Sequence, residues 1–227
     1  MSEWWTYRPS DLLMFAPRTY WRLFELHNAS MWPLQLLTTL LALMLGVALW
    51  RGHGAALRTG LALLAACWIG VAWTFLWRRY APIFSAADAF AIGFALQALL
   101  LLLLLVSLRD SLQPSNHTLG RTSGLALLAW AVLVHPLLAV IASRPLAQAE
   151  VFGLAPDPTA IGTLGVLLCL DSGQRLARWL LGAACGLAVL WCAVSAATLW
   201  TMGSPQGWVP ALAVGVVAIT ALTRRRA

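Results

Sequence analysis

The sequence predicts an all-α protein, a polytopic bundle of membrane-spanning helices. Of its 227 residues, 61% are hydrophobic and only 10% are charged, whereas soluble proteins average roughly half apolar and about a quarter charged. Each spanning helix takes about 20 predominantly apolar residues, so six or seven of them account for nearly the whole chain. We therefore expect no separate soluble domain: residues 1–30 are predicted as an N-terminal interfacial segment and residues 31–227 as the bundle.

Seven apolar segments, separated by short connections, are the candidates for these helices. They cover residues 31–50, 57–77, 86–108, 123–142, 151–170, 176–200 and 208–222. Trp32 and Trp50 bracket the first of them and Trp179 and Trp200 the sixth; at 1.5 Å per residue the pairs lie about 27 Å and about 32 Å apart. Both distances match a hydrocarbon core of about 30 Å, whose interfaces tryptophan prefers.

Residues 10–28 predict an amphipathic helix that lies on the membrane surface. The segment combines bulky apolar side chains with Arg18, Arg22 and Glu25, whose spacing places them on one helical face. Ser10 is a candidate N-cap, and Pro17 is expected to kink or restart the helix. The alternative role of this helix is a gate or a docking site for a partner.

One apolar segment, residues 151–170, is interrupted by the sequence Pro156-Asp157-Pro158. If the segment crosses the membrane, the chain has seven spans, its N-terminus lies outside, and residues 51–58, 109–121, 175–178 and 224–226 place their arginines inside. If the segment is re-entrant, there are six spans, both termini lie inside, and more of the arginines are inside. The positive-inside rule favours this second arrangement.

Polar groups at membrane depth are costly and therefore mark candidate sites. Asp157 can cap a short helix that starts at Pro158, with Glu150 upstream and Thr159 and Thr163 near the helix N-terminus. Helix ends of this kind inside a bilayer form substrate sites in many transporters. We therefore expect these four polar residues to bind a substrate. The alternative is structural: Asp157 caps a helix that begins at the interface, and Glu150 is solvated in a loop.

His135, in the middle of the segment 123–142, is a further candidate substrate-binding residue. Pro136 follows it and frees a backbone carbonyl from its helical hydrogen bond. An intramembrane histidine can relay protons or hold a cofactor, or it can pack against a neighbouring helix. Haem needs a second axial ligand at similar depth in most cases, and the other histidines lie at span ends or in loops. We expect no cofactor and no metal.

The charged residues exclude several classes of function. All 15 basic residues are arginine and there is no lysine, so chemistry that needs a lysine amine, such as a Schiff base or a P-loop, is excluded. The net charge of +7 is not gathered into the basic patch that nucleic-acid binding uses. We therefore expect no nucleic-acid binding. The sequence also has no GxSxG, HExxH or paired-carboxylate motif, so we expect no enzymatic activity.

Gly182-Ala-Ala-Cys-Gly186 is a GxxxG motif, which permits close contact between helices. The contact can lie within the bundle, between two copies of the chain, or with another membrane protein. Besides the lipid bilayer, we expect a homo-oligomer or a membrane partner at Gly182 and Gly186.

Three stretches carry a resemblance to a known group of proteins: DLLMFAPRTYWRLFELHNASMWP (residues 11–33), QAEVFGLAPDPTAIGTLGVLL (residues 148–168) and WCAVSAATLW (residues 191–200). In these stretches, and over most of its length, the chain resembles a family of bacterial polytopic inner-membrane proteins of unknown function. The resemblance implies topology and a multi-pass location in the bacterial cytoplasmic (inner) membrane. It supplies no catalytic residue.

Two functions follow as expectations. The first is a small-solute or ion permease or channel with a site near Asp157. The second is a non-transporting membrane scaffold or accessory subunit, in which the N-terminal helix and the GxxxG surface dock a partner. A water-accessible cavity that reaches Asp157 favours the first, whereas a dry bundle with a broad apolar side patch favours the second.

Overall fold

A computed structural model of the chain describes residues 15–107 and 112–224, and most of these residues are helical. The helices are α1 (Pro17–Met31), α2 (Leu34–Trp50), α3 (Gly54–Val71, continued by a π-helix, Ala72–Tyr80), α4 (Ala87–Ser107), α5 (Thr118–Ala129, continued by Trp130–Val134, His135–Leu137 and Leu138–Ile141), α6 (Pro156–Leu168), α7 (Arg175–Thr201) and α8 (Trp208–Arg224). Two short strands, β1 (Leu112–Pro114) and β2 (Leu170–Ser172), pair antiparallel as a ribbon. The predicted all-α class is confirmed.

Several helices have the length and composition of membrane spans. Within the described ranges, four pass this test: Leu57–Tyr80, Ala87–Val106, Thr118–Ile141 and Arg175–Thr201. Helices α1 and α2 pass it only as a pair and meet at an angle of 89°. Helix α8 is apolar but shorter. Each of the seven apolar segments of the sequence is therefore mainly helical, and four of the helices are individually long enough to cross a membrane.

The bundle has two ends, which we call the α1 end and the ribbon end. At the α1 end, α1 contacts residues 142–155, the connection between α5 and α6. At the ribbon end, Arg224 donates hydrogen bonds to the carbonyl of Leu168 (2.5 Å) and the hydroxyl of Ser115 (3.1 Å). Helix α6 follows the connection at the α1 end and leads into β2, so it runs through the bundle in one direction.

Helix α6 is the central helix of the bundle, and all of its residues are buried. Glycine makes its closest contact possible: a Cβ atom on Gly165 would lie 2.6 Å from the carbonyl oxygen of Gly124 in α5. A Cβ on Gly162 would overlap the ring of Phe152 in the preceding connection. The backbones of α5 and α6 therefore touch directly, which no larger residue at positions 124 and 165 would allow.

Helix α5 changes its winding around Pro136. The chain widens to a π-helix at Trp130–Val134 and tightens to a 3₁₀ turn at His135–Leu137. Proline has no N–H to donate, so regular α-helical hydrogen bonding cannot continue through it. Local changes of this kind often accompany functional positions. They place the His135 side chain in the interior, where it is buried.

Helix α1 begins at Pro17, as the predicted restart requires, with Ala16 as its N-cap; the candidate cap Ser10 lies outside the described residues. Its apolar face is buried against the bundle, with the Phe24 ring centroid 4.6 Å from that of Phe75 in α3. On its exposed face Arg22 pairs with Glu25. The apolar face of α1 thus covers the α1 end of the bundle, and the position of this helix on the membrane surface stays a prediction.

The outer surface carries the other sequence features. Trp32, Trp50, Trp179 and Trp200 are all more than half exposed, so they are free to contact lipid headgroups. The GxxxG motif also lies outside: a Cβ atom added at either glycine of the motif would meet nothing within 4 Å. Among the described residues, the motif therefore makes no close contact within the bundle. Its contact with a second copy of the chain or with another membrane protein stays a prediction.

Candidate functional site

Asp157 lies in the first turn of α6 and is 2% exposed. Its Oδ1 accepts a hydrogen bond from the indole Nε1 of Trp191 (2.9 Å), and its Oδ2 accepts one from the hydroxyl of Ser195 (2.5 Å). The two donors are four residues apart and so lie on one face of α7. Asp157 therefore joins α6 to α7.

The predicted capping role of Asp157 is wrong. The helix begins at Pro156 with Ala155 as N-cap, and no side chain caps it. Pro156 and Pro158 are both compatible with a first helical turn, because the first N–H groups of a helix lack intrahelical partners. The helix starts at the earlier proline, so Asp157 falls inside it and finds its donors on α7.

Glu150 is also buried, at 3% exposure, so the alternative in which it is solvated in a loop is wrong. Its Oε2 lies 3.8 Å from the Nε2 of His135. Within the described part of the chain, Glu150 Oε1 and both ring nitrogens of His135 have no hydrogen-bond partner. Buried polar atoms are nearly always hydrogen-bonded, so these atoms are available to a proton, a water molecule or a ligand.

His135, Glu150 and Asp157 form one group, which we call the buried acidic cluster. Asp157 interacts electrostatically with both other members. Three different elements contribute to the cluster: α5, the connection 142–155 and α6. Three of the five predicted site residues therefore meet in the interior, although 22 positions separate the first from the last in the sequence (157 minus 135).

The other two predicted site residues, Thr159 and Thr163, use their hydroxyls within the protein. Thr159 Oγ1 donates to the carbonyl of Ala155 (2.6 Å) and accepts from the N–H of Gly153 (2.9 Å). Thr163 Oγ1 donates to the carbonyl of Thr159 (2.8 Å) and accepts from the indole of Trp68 in α3 (2.8 Å). These bonds hold the connection and α3 to α6, and substrate binding by either threonine stays a prediction.

Helix α1 is fastened over the connection that carries Glu150. Asn28 Nδ2 donates to the carbonyls of Ala147 (2.9 Å) and Ala149 (2.8 Å). The Gln148 side chain donates to a carboxylate oxygen of Glu25 at 3.3 Å. The α1 end of the bundle is thereby closed above the buried acidic cluster.

Arg144 is a cation near the cluster, but its guanidinium is engaged elsewhere. It stacks over the ring of Trp21 at 3.4 Å from the ring centroid, a favourable cation–π geometry. It also donates to Gln206 Oε1 (2.8 Å) and to the carbonyl of Gln148 (3.3 Å). Arg144 interacts with Glu150 electrostatically over a longer distance, so the buried carboxyl groups are not directly paired with it.

Sequence reasoning missed Trp191, Ser195, Arg144 and Asn28 as neighbours of the site. The spacing of four between Trp191 and Ser195 puts two hydrogen-bond donors on one face of an apolar helix. That spacing was the available signal. Arg144 and Asn28 lie in a loop and on a surface helix, where no periodic pattern indicates their contacts.

The described residues contain no group of three or more His, Cys, Asp or Glu side chains that could hold a metal ion. Cavities of about 850 Å³ and 290 Å³ lie on either side of α2, and one of about 420 Å³ lies between α3 and α4. None of these three cavities is lined by a residue of the buried acidic cluster. The three members of the cluster are 2–3% exposed, so packed side chains enclose it.

Comparison with known proteins identifies the relatives of this chain only at the level of a family. No curated protein and no solved structure matches it. A model of the DUF6064 family, described as a family of unknown function, matches residues 18–227. That range includes the first of the three stretches from residue 18 onward, the other two stretches in full, and the whole buried acidic cluster. The chain therefore belongs to the DUF6064 family of unknown function.

Proposed function

We propose that the protein is a multi-pass bacterial inner-membrane permease or channel for a small solute or ion, and that its site is the buried acidic cluster. The observation that carries the proposal is the convergence of His135, Glu150 and Asp157 in the interior, each less than 4% exposed. Ionisable side chains inside a membrane bundle are expensive, and they commonly mark ion, substrate or proton pathways. Unpartnered atoms on two of these residues supply binding capacity.

The charge of the site favours a cationic cargo. Two carboxyl groups face one histidine, and Arg144, which interacts with Glu150 over a longer distance, is bound to Trp21 and Gln206 instead of a carboxylate. An anion would meet repulsion from both carboxylates in a region of low dielectric, where charge interactions are strong. A cation would be attracted by the same groups. We therefore propose a small cation, or a solute that moves with one, as the cargo.

The path of α6 supports seven membrane passes. Helix α6 starts beside the connection at the α1 end and leads into the ribbon at the other end, so residues 151–170 cross the bundle. In this arrangement the N-terminus lies outside and the ribbon end, with Arg51, Arg121, Arg175 and Arg178, lies inside. The path of α6 thus favours seven passes, whereas the positive-inside rule favours six. Reporter domains fused to the two termini test it: seven passes require opposite sides, and six passes require the same side.

Transport is tested with purified protein in liposomes and a panel of small cations. We expect Glu150→Gln and Asp157→Asn to reduce the flux about tenfold or more, since a charged hydrogen-bonding group contributes about 1.5–3 kcal/mol. Asp88→Asn is the matched control, because Asp88 is an exposed carboxylate outside the cluster. Wild-type flux in both folded cluster variants would overturn the proposal, as would an absence of flux in the wild-type protein.

A second candidate function, an accessory subunit or scaffold, is favoured by two observations: none of the three cavities described above is lined by a residue of the buried acidic cluster, and the GxxxG surface is open. Gly182 and Gly186 face empty space on the outside of α7. A bulky substitution there, Gly182→Ile, should displace a partner helix without disturbing the bundle, whereas Gly215→Ile on α8, which also faces open space, should not. Unchanged oligomeric state and unchanged copurifying subunits in the first variant would reject this candidate.

A further inference from the structure

His135 and Glu150 form a buried pair with spare hydrogen-bonding capacity. The distance of 3.8 Å between His135 Nε2 and Glu150 Oε2 exceeds the usual 2.7–3.2 Å of a hydrogen bond. Within the described residues, the remaining oxygen of Glu150 and the second nitrogen of His135 also have no partner. The two side chains are close enough to form an ion pair, but the other oxygen of Glu150 and the ring nitrogens of His135 form no hydrogen bond with the described residues.

Asp157 differs from this pair, because both of its oxygens are engaged. Trp191 and Ser195 hold the carboxyl group from α7 at 2.9 Å and 2.5 Å. Asp157 is thus positioned as a fixed neighbour of the His135–Glu150 pair and not as its exchangeable member.

The surroundings of the pair suit a proton better than a metal ion. A hard cation is bound by several oxygen ligands at once, and no group of three or more His, Cys, Asp or Glu side chains suited to a metal occurs in residues 15–107 and 112–224. A proton requires a single lone pair. The titratable or charged groups that face the cluster from the packed elements are Tyr20 of α1, Tyr80 of α3, Arg144 of the connection and Cys192 of α7.

We propose that the ion taken up by this site is a proton, shared between His135 Nε2 and Glu150 Oε2 beside the fixed carboxyl group of Asp157. This inference rests on the proposed transport function. In one form the proton is bonded to the Nε2 lone pair, so an imidazolium faces a carboxylate. In the other it is bonded to Oε2, so a neutral imidazole faces a carboxylic acid. No electron is transferred, and the proton enters and leaves as such.

Infrared difference spectroscopy of the purified protein tests the pair without any transport assay. During a pH titration we expect the carbonyl band of a protonated carboxyl group to appear, to vanish in Glu150→Gln and to persist in Asp88→Asn. His135→Gln should move the midpoint of the band by about one pH unit or more, since an opposite charge nearby shifts a carboxyl group by that order. A band that persists unchanged in Glu150→Gln would overturn the inference.

A second measurement leaves Glu150 in place and covers the case in which Glu150→Gln does not fold. The chain contains three glutamates, at positions 3, 25 and 150, and Glu25 pairs with Arg22 on an exposed helix face. In a protein that carries Glu3→Gln and Glu25→Gln, isotopic labelling of glutamate should therefore shift the titrating band if Glu150 carries it. A band that is insensitive to glutamate labelling would also overturn the inference.

Flux measurements separate the two proposals. Proton flux into liposomes that is lost in Glu150→Gln supports both. Cation flux without proton flux, together with no titrating glutamate, would support the permease function and contradict the proposal that the bound ion is a proton. A titrating glutamate in a protein that transports nothing would support the proton-binding pair and contradict the permease function.

Discussion

The indole Nε1 of Trp191 lies 2.9 Å from Oδ1 of Asp157, and this hydrogen bond ties the middle of α7 to the first turn of α6. Both side chains are buried. Water cannot replace either partner of this hydrogen bond unless the interior is exposed. The bond is therefore expected to stabilise the folded protein as well as to position Asp157 in the site.

Trp191→Phe should destabilise the protein by about 1–3 kcal/mol, because it removes the donor and leaves a buried carboxyl oxygen without its partner. Thermal unfolding in detergent measures the change. Trp179→Phe, at an exposed tryptophan on the same helix, should leave the unfolding temperature unchanged. Equal stability of the two variants would show that the Trp191–Asp157 bond contributes nothing.

Ser195→Ala should lower stability by a similar amount, and its effect should depend on Asp157. In the Asp157→Asn background the loss should differ by about 0.5 kcal/mol or more, since groups in one hydrogen-bond network are not additive. Denaturant unfolding of the four proteins in this cycle gives the coupling energy. Strict additivity would mean that the hydroxyl and the carboxyl group do not interact.

Gly165→Ala should be severely destabilising, because its Cβ would lie 2.6 Å from the Gly124 carbonyl oxygen. Overpacking of a tight core costs about 1–3 kcal/mol, and here the obstacle is backbone. Gly182→Ala, on the open face of α7, is the matched control and should be neutral or stabilising. The yield of monodisperse protein and its unfolding temperature report both changes, and a Gly165→Ala protein as stable as the control would refute the close packing of α5 and α6.

Asn28→Ala should loosen α1 from the bundle, since Asn28 makes two hydrogen bonds to the carbonyls of Ala147 and Ala149. At about 1 kcal/mol for each bond, amide exchange in residues 17–31 should accelerate about tenfold or more. Arg18→Ala is the control, because Arg18 is exposed on the same helix. Equal exchange rates in the two variants would mean that other contacts hold α1 in place.

The helices could be predicted from the sequence, because apolar runs of membrane-spanning length and proline positions are local properties. Glu150, Asp157 and His135 could also be selected, since polar residues are rare in such runs. Their partners could not. Trp191 and Ser195 are 34 and 38 positions away from Asp157, and only the packing of α7 on α6 brings them to it.

Two differences between the sequence predictions and the structure have local physical causes. The start of α6 was predicted at Pro158 because Pro156 and Pro158 satisfy the same first-turn preference, and the sequence does not distinguish them. The contact of the apolar face of α1 with the bundle was not predicted, because lipid and protein bury the same side chains. The contact between α1 and Phe75 depends on the position at which α3 ends. The sequence pattern of α1 carries no information about that position.

The length of α6 has an electrical consequence. Its 13 residues extend about 20 Å from the ribbon end, so with the helix along the membrane normal, Asp157 lies about two thirds of the way across a core of about 30 Å. A proton that reaches the cluster from the α1 end would then cross about one third of the membrane potential. At about 2.3 kcal/mol per elementary charge per 100 mV, its binding would change by about 0.8 kcal/mol for each 100 mV. Proton occupancy of the cluster would therefore follow the membrane voltage as well as the pH.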